Sequence, residues 1–144
     1  MQQTLTDIRE EFGYALLWDA HSIVSEMPSL FEGALPDLNI GTNDGRSCDA
    51  NFTDRIMAAA NESDYTSVVN ERFRGGYITR NFGAVEKNIH AVQLELSQRN
   101  YMDENTLRYD AARAGKLGKT IERMMHAFVD VAAQQSNANS KGRA

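Results

Sequence analysis

After Gly13 the chain reads Tyr14-Ala15-Leu16-Leu17-Trp18 and meets a charged residue only at Asp19. The run does not alternate, so it suits a strand covered on both faces, as strands of a parallel sheet between helices are. Ahead of it Leu5, Ile8 and Phe12 recur at helical spacing, with Asp7, Arg9, Glu10 and Glu11 on the other side. Thr4 to Phe12 therefore reads as an amphipathic helix that Gly13 stops. A helix leading into a buried strand points to a layered α/β fold, a sheet flanked by helices. In such folds, groups delivered at the carboxyl end of a strand often carry the chemistry. Here that end reads Asp19-Ala20-His21-Ser22, the first candidate for an active-site edge.

From Ser22 to Cys48 periodicity dissolves into Ser, Pro, Gly, Asn and Asp. Within it Asp37 to Ile40 reads as a short strand and Gly41 to Gly45 as a turn, since Gly, Asn and Asp tolerate positive φ. Asp49 is placed to cap a helix carrying Phe52, Ile56, Met57 and Ala60, running to about Asn61. Thr66 to Asn70 reads as a strand, and Arg72, Arg74 and Arg80 then surround Gly75-Gly76, a pair that permits a sharp turn. Ile89 to Leu96 reads as another strand. Period two places His90, Val92, Leu94 and Leu96 on one face and Ala91, Gln93 and Glu95 on the other. Beyond Asp103 the pattern is helical, with Leu117, Ile121, Met124, Met125 and Phe128 forming an apolar stripe that should cover the sheet. Residues 1–135 are expected to form the domain and 136–144 a flexible tail.

At 144 residues the chain has room for one domain with a real core. Its formal charge of -5 offers no basic face for nucleic acid. Cys48 is the single cysteine, which excludes an intrachain disulfide and a thiolate-rich zinc cluster and fits a reducing compartment. The amino end lacks the pattern of a signal peptide, and no run is long enough to span a bilayer. A soluble, cytoplasmic protein is expected.

The histidines are His21, His90 and His126. His126 lies beside the helical stripe and reads as structural or surface. His90, on the apolar face of its strand, reads as a hydrogen-bonded buried imidazole, although a functional role stays open. His21 could bind a divalent metal such as zinc. Asp19 shares its face at about 6.6 Å along an extended strand, so joint ligation would need the strand to bend. Asp19 reads instead as a group orienting a ligand, or as a capping and packing residue. Glu95, if buried, would have its pKa raised toward the range of a general base; the alternative is a salt bridge to one of the three arginines. Those arginines suit bidentate recognition of a carboxylate, or else are solvated surface charge. A hydrolytic zinc site usually takes three protein ligands, and one convincing imidazole does not complete it.

Several stretches together resemble the N-formylglutamate amidohydrolase (N-formylglutamate deformylase) family. They are Leu17-Trp18-Asp19-Ala20-His21-Ser22-Ile23, Leu30-Phe31-Glu32-Gly33, Leu35-Pro36-Asp37-Leu38-Asn39 and Gly41-Thr42-Asn43-Asp44-Gly45. To these add Gly75-Gly76-Tyr77-Ile78-Thr79-Arg80, Val92-Gln93-Leu94-Glu95-Leu96 and Tyr101-Met102-Asp103-Glu104. The resemblance runs from about Phe12 to the long helix and corresponds to the carboxyl-terminal half of the family domain. It implies an α/β hydrolase with a partial zinc carboxypeptidase-like sheet, cleaving the formamide of N-formyl-L-glutamate to formate and L-glutamate in histidine degradation. His21 would match a metal-ligand histidine and Glu95 the carboxylate that activates water, with Asp19 behind the ligand. Arg80, Arg74 and Asn43 would hold the substrate. The remaining ligands of the divalent metal, zinc by resemblance, would lie in an amino-terminal half, a separate partner or a missing part of the frame. The resemblance departs at Val24, where arginine is common, and at Asn81, where histidine often stands. A non-catalytic carboxylate-binding module of the same fold is the alternative.

Overall fold

The structure is a computed structural model that describes the backbone of residues 1–141 and the side chains of residues 1–135. Its elements are α1 (Gln2–Phe12), β1 (Ala15–Ile23), β2 (Leu38–Gly41), α2 (Ala50–Asn61), β3 (Ser67–Val69), α3 (Tyr77–Phe82), β4 (Ile89–Ser97), β5 (Met102–Asp103), β6 (Arg108–Tyr109) and α4 (Ala111–Lys141). Gly13, in the left-handed region at φ 82°, ends α1, and the Asp49 side chain caps α2 by accepting from Asn51 N.

Four strands form one sheet in the order β1-β4-β2-β3. β1 runs parallel to β4 and β3 parallel to β2, while β2 runs antiparallel to β4, so the sheet is mixed rather than wholly parallel. One face is closed by α2 and α4, where Leu38, Ile40, Val92 and Leu94 pack with Phe52, Ile56, Leu117, Met124 and Phe128. On the other face the apolar cluster is confined to the start of β1 and β4, where Ala15 and Ile89 meet Leu5 of α1, with Ile8, Leu17 and Phe82 around them. Beyond Leu17 and Ala91 that face carries Asp19 and His21 of β1, Gln93 and Glu95 of β4 and Asn39 of β2.

Five readings change. β1 is an edge strand, so Leu16, Leu17 and Trp18 are half-buried rather than covered on both sides, and the strand continues through His21 to Ile23. The arginine-glycine stretch contains a helical turn, α3, after Gly75 turns the chain at φ 112°. A small hairpin, β5 and β6, separates Asp103 from the long helix. Met125 lies outside the core stripe at 43% exposure, because it stands a quarter turn from buried Met124. α4 continues past Ser136 to Lys141, and the end of the expected tail, 142–144, lies outside the described residues.

Candidate active-site face

Register brings the polar residues together. Across the parallel pair His21 is the partner of Glu95 and Asp19 of Gln93, and across the antiparallel pair Asn39 is the partner of Glu95. His21, Glu95 and Asn39 thus form one row over three strands, with Asp19 and Gln93 in the row behind it. Period two puts all five on the face that α1 leaves open. Asp19, Asn39, Gln93 and Glu95 are buried, whereas the His21 side chain keeps 47% of its surface.

Asp19 Oδ1 lies 2.9 Å from His21 Nε2, so the two side chains meet on a regular strand with no bend. A carboxylate can only accept, so in the neutral ring Nε2 carries the proton and Nδ1 keeps its lone pair. Asp19 thereby fixes the orientation of the ring. Two further oxygens, Asp19 Oδ2 and Asn39 Oδ1, are buried without a hydrogen-bond partner. Unpaired buried acceptors of this kind are costly and mark a place built for a further group.

Glu95 forms no ion pair with an arginine among the described residues; its Oε2 accepts from Gln93 Nε2 at 3.2 Å. Burial pushes its carboxyl above the ordinary carboxylate range, while nearby His21 and the Gln93 bond pull it part of the way back. The Gln93 amide is itself held, because Gly76 N donates to Gln93 Oε1 at 2.6 Å. That bond requires the loop to lie against the sheet: a Cβ on Gly41 would stand 2.5 Å from Gly75 N. Gln93 was visible in the sequence only as a polar residue in an apolar strand two positions before Glu95.

The basic candidates lie outside this cluster's hydrogen bonds. Arg74 Nη1 reaches Asp44 at 3.4 Å, Arg80 Nη1 donates to Gly75 O at 3.3 Å, and Asn43 N donates to Arg74 O at 2.6 Å. Asn43 and Arg74 belong to the two loops that pack together beside Gln93, and Arg80 to α3, which follows the second of them. His90 is buried on the opposite face, where it accepts from Asp49 N through Nδ1, bonds Asn88 through Nε2 and stacks on Phe52. This is the structural role read for it, and His126 is exposed on α4.

Among the described residues no three His, Cys, Asp or Glu side chains are grouped to hold a metal ion. His21 Nδ1, the lone pair that the Asp19 bond leaves free, fits one position of a donor set for a divalent cation, fewer than the three ligands of a hydrolytic zinc site.

A mixed sheet flanked by helices thus places the His21 imidazole and the buried Glu95 carboxyl, its pKa pushed up by burial, in adjacent register positions. The crystal structure of N-formylglutamate amidohydrolase from Ralstonia eutropha JMP134 shares the fold, at TM-score 0.74 and 18% identity over 92% of this chain and 47% of that one. The model of the N-formylglutamate amidohydrolase family matches residues 1–102, and the chain belongs to that family. It is 51% identical over 117 residues to the N-formylglutamate deformylase of Pseudomonas putida, covering 78% of this chain and 44% of that protein. With the N-formylglutamate deformylase of Pseudomonas aeruginosa it shares 54% identity over 103 residues, 71% of this chain and 39% of the relative. The chain thus spans less than half the length of these curated relatives.

Proposed function

We propose that the chain carries one side of the active site of a metal-dependent N-formylglutamate deformylase, hydrolysing N-formyl-L-glutamate to formate and L-glutamate in histidine degradation. The observation that carries this reading is the register pair His21–Glu95, an imidazole oriented by Asp19 beside a buried carboxylate. The 51% identical P. putida relative, a deformylase by name, supports the substrate.

In this reading Glu95 takes a proton from water as the oxygen adds to the formyl carbon, and returns it to the nitrogen as the C–N bond breaks. A raised pKa suits both halves of that cycle, because the acid form must persist long enough to donate. Gln93 keeps the carboxylate aimed, and Gly76 keeps Gln93 aimed. A divalent cation, zinc in the carboxypeptidase-like arrangement, would be held by His21 with Asp19 behind it; such an ion lowers the pKa of water and polarises a carbonyl. The remaining ligands would come from the part of the family domain that the chain does not span. Arg80 on α3 and Arg74 and Asn43 on the two loops beside the face would hold the glutamate carboxylates.

Formate release from N-formyl-L-glutamate with zinc tests the reading. The chain alone should run near background, and activity should appear when it is joined to the unmatched portion of the P. putida relative. No activity in a joined, folded protein would overturn it. Exposed Arg74 and Arg80 favour a second reading, a non-catalytic carboxylate-binding module. That module would bind glutamate without metal and lose binding in Arg80→Ala, which calorimetry would reveal.

A further inference from the structure

The free edge of β1 is unusual for an exposed strand. β1 is nine residues long and hydrogen-bonded on one side only, to β4. Natural edge strands are short or carry Lys, Arg, Pro or a bulge that discourages pairing. The other edge, β3, obeys this rule with three residues. Ala15–Ile23 contains no Lys, Arg or Pro and carries no charge besides the inward-facing Asp19 and His21 when protonated, and its register with β4 is unbroken.

Beside this edge α4 carries a second apolar flank. Its polar pairs, Lys116 to Asp64 and Arg123 to Glu62, turn toward α2. On the side away from α2, Ala114, Gly118 and Ile121 line a groove of about 380 Å³ with Ala20, His21 and Ser22 of β1. Met125 and Val129 continue that flank at helical spacing and are 43% and 50% exposed. Trp18, half-buried against Phe128, stands on the same side.

We infer that the β1 edge and the Ile121-Met125-Val129 flank of α4 form one interface, and that its occupant is the portion of the family domain outside this chain, adding a strand beside β1 and apolar side chains beside α4. The lengths argue for that occupant: the solved relative shares the fold over 92% of this chain yet is only 47% covered by it. The site argues likewise, because exposed His21 and the unpaired Asp19 oxygen lie on the unpaired strand, where an added strand would bring new side chains alongside them. The inference rests on the deformylase reading for the identity of the partner only.

The test mixes the chain with a separately produced portion of the P. putida relative lying outside the 117 matched residues. Complex formation is followed by light scattering, and backbone exchange is mapped by mass spectrometry. The expected result is a one-to-one complex in which β1 amides slow by about tenfold or more while β3 amides do not change. Val129→Asp and Met125→Asp should each weaken the complex by about tenfold or more without altering the melting temperature of the chain alone. No complex, protection at β3 instead of β1, or indifference to both substitutions would overturn the inference. Pairing of β1 with a second copy of this chain, unrelieved by the added portion, would also overturn it. A complex with β1 protected but no formate release sinks only the catalytic reading, whereas formate release with β1 exchanging freely sinks only this one.

Discussion

His21 Nε2 and Asp19 Oδ1 stand 2.9 Å apart on consecutive same-face positions of β1, and the second oxygen of Asp19 is buried without a partner. A carboxylate bound to one ring nitrogen leaves the other for a ligand and raises its basicity. In a protein joining the chain to the unmatched portion of the P. putida relative, the proposed metal role predicts that Asp19→Asn raises the zinc dissociation constant by about 10–100-fold, and His21→Ala by more. Competition with a chromogenic chelator reads both values. Unchanged zinc affinity in Asp19→Asn would remove Asp19 from the metal-orienting role.

The loop that aims Gln93 lies so close to the sheet that only glycine fits at position 41. In Gly41→Ala the new Cβ would stand 2.5 Å from Gly75 N and 2.7 Å from Arg74 C, both backbone atoms without freedom to swing aside. A cost of about 1–3 kcal/mol is expected in urea unfolding, as for other overpacked sites. Protection of the Gly76 amide, which donates to Gln93, should fall in exchange measurements. A variant as stable as the parent with Gly76 still protected would contradict the close approach.

His90 makes stability sensitive to mild acid. Burial holds its imidazole below the ordinary 6.5, with Asp49 pulling the other way, so the unfolded chain takes up a proton that the native chain resists. The contribution is complete above the unfolded value and is lost as pH falls below it. Urea midpoints should therefore drop between about pH 7.5 and about pH 5.5, and the drop should shrink in His90→Gln. An equal drop in the variant would place the acid sensitivity elsewhere.

Asp37 works in the opposite sense. Burial pushes its carboxyl up, but bonds from Thr66 N and Oγ1 and from Arg99 outweigh this and hold it below 3.8. The stabilisation it supplies is present above 3.8 and is lost as pH falls through the native value. Asp37→Ala should cost about 0.5–1.5 kcal/mol at neutral pH, since the Thr66 and Arg99 donors lose their carboxylate but can turn to water. Denaturant titration at neutral and low pH checks the size and its disappearance in acid.

Much of this architecture was legible because it rests on periodicity. The alternation in Ile89 to Leu96 separated His90 from Glu95, and β4 keeps them on opposite faces. The run from Tyr14 revealed a strand, but an apolar run cannot tell a central strand from an edge whose cover lies elsewhere, and Trp18 is half-exposed for that reason. Met124 and Met125 look alike in sequence, and only the packing direction of α4 separates them. The row His21–Glu95–Asn39 was illegible, because register between strands distant in sequence is fixed by packing rather than local pattern. α3 was masked by the glycines before it, and the hairpin of β5 and β6 is too short to show a period; Asp103 sets its turn by accepting from Asn105 N and Thr106 N.

The most direct measurement is formate release by the completed protein carrying either Glu95→Gln or His21→Ala. Both variants should assemble as the parent does, and each should lose about 10²-fold or more in kcat/KM. Near-parental formate release by either variant, with assembly intact, would contradict the assignment of the His21–Glu95 pair to the reaction.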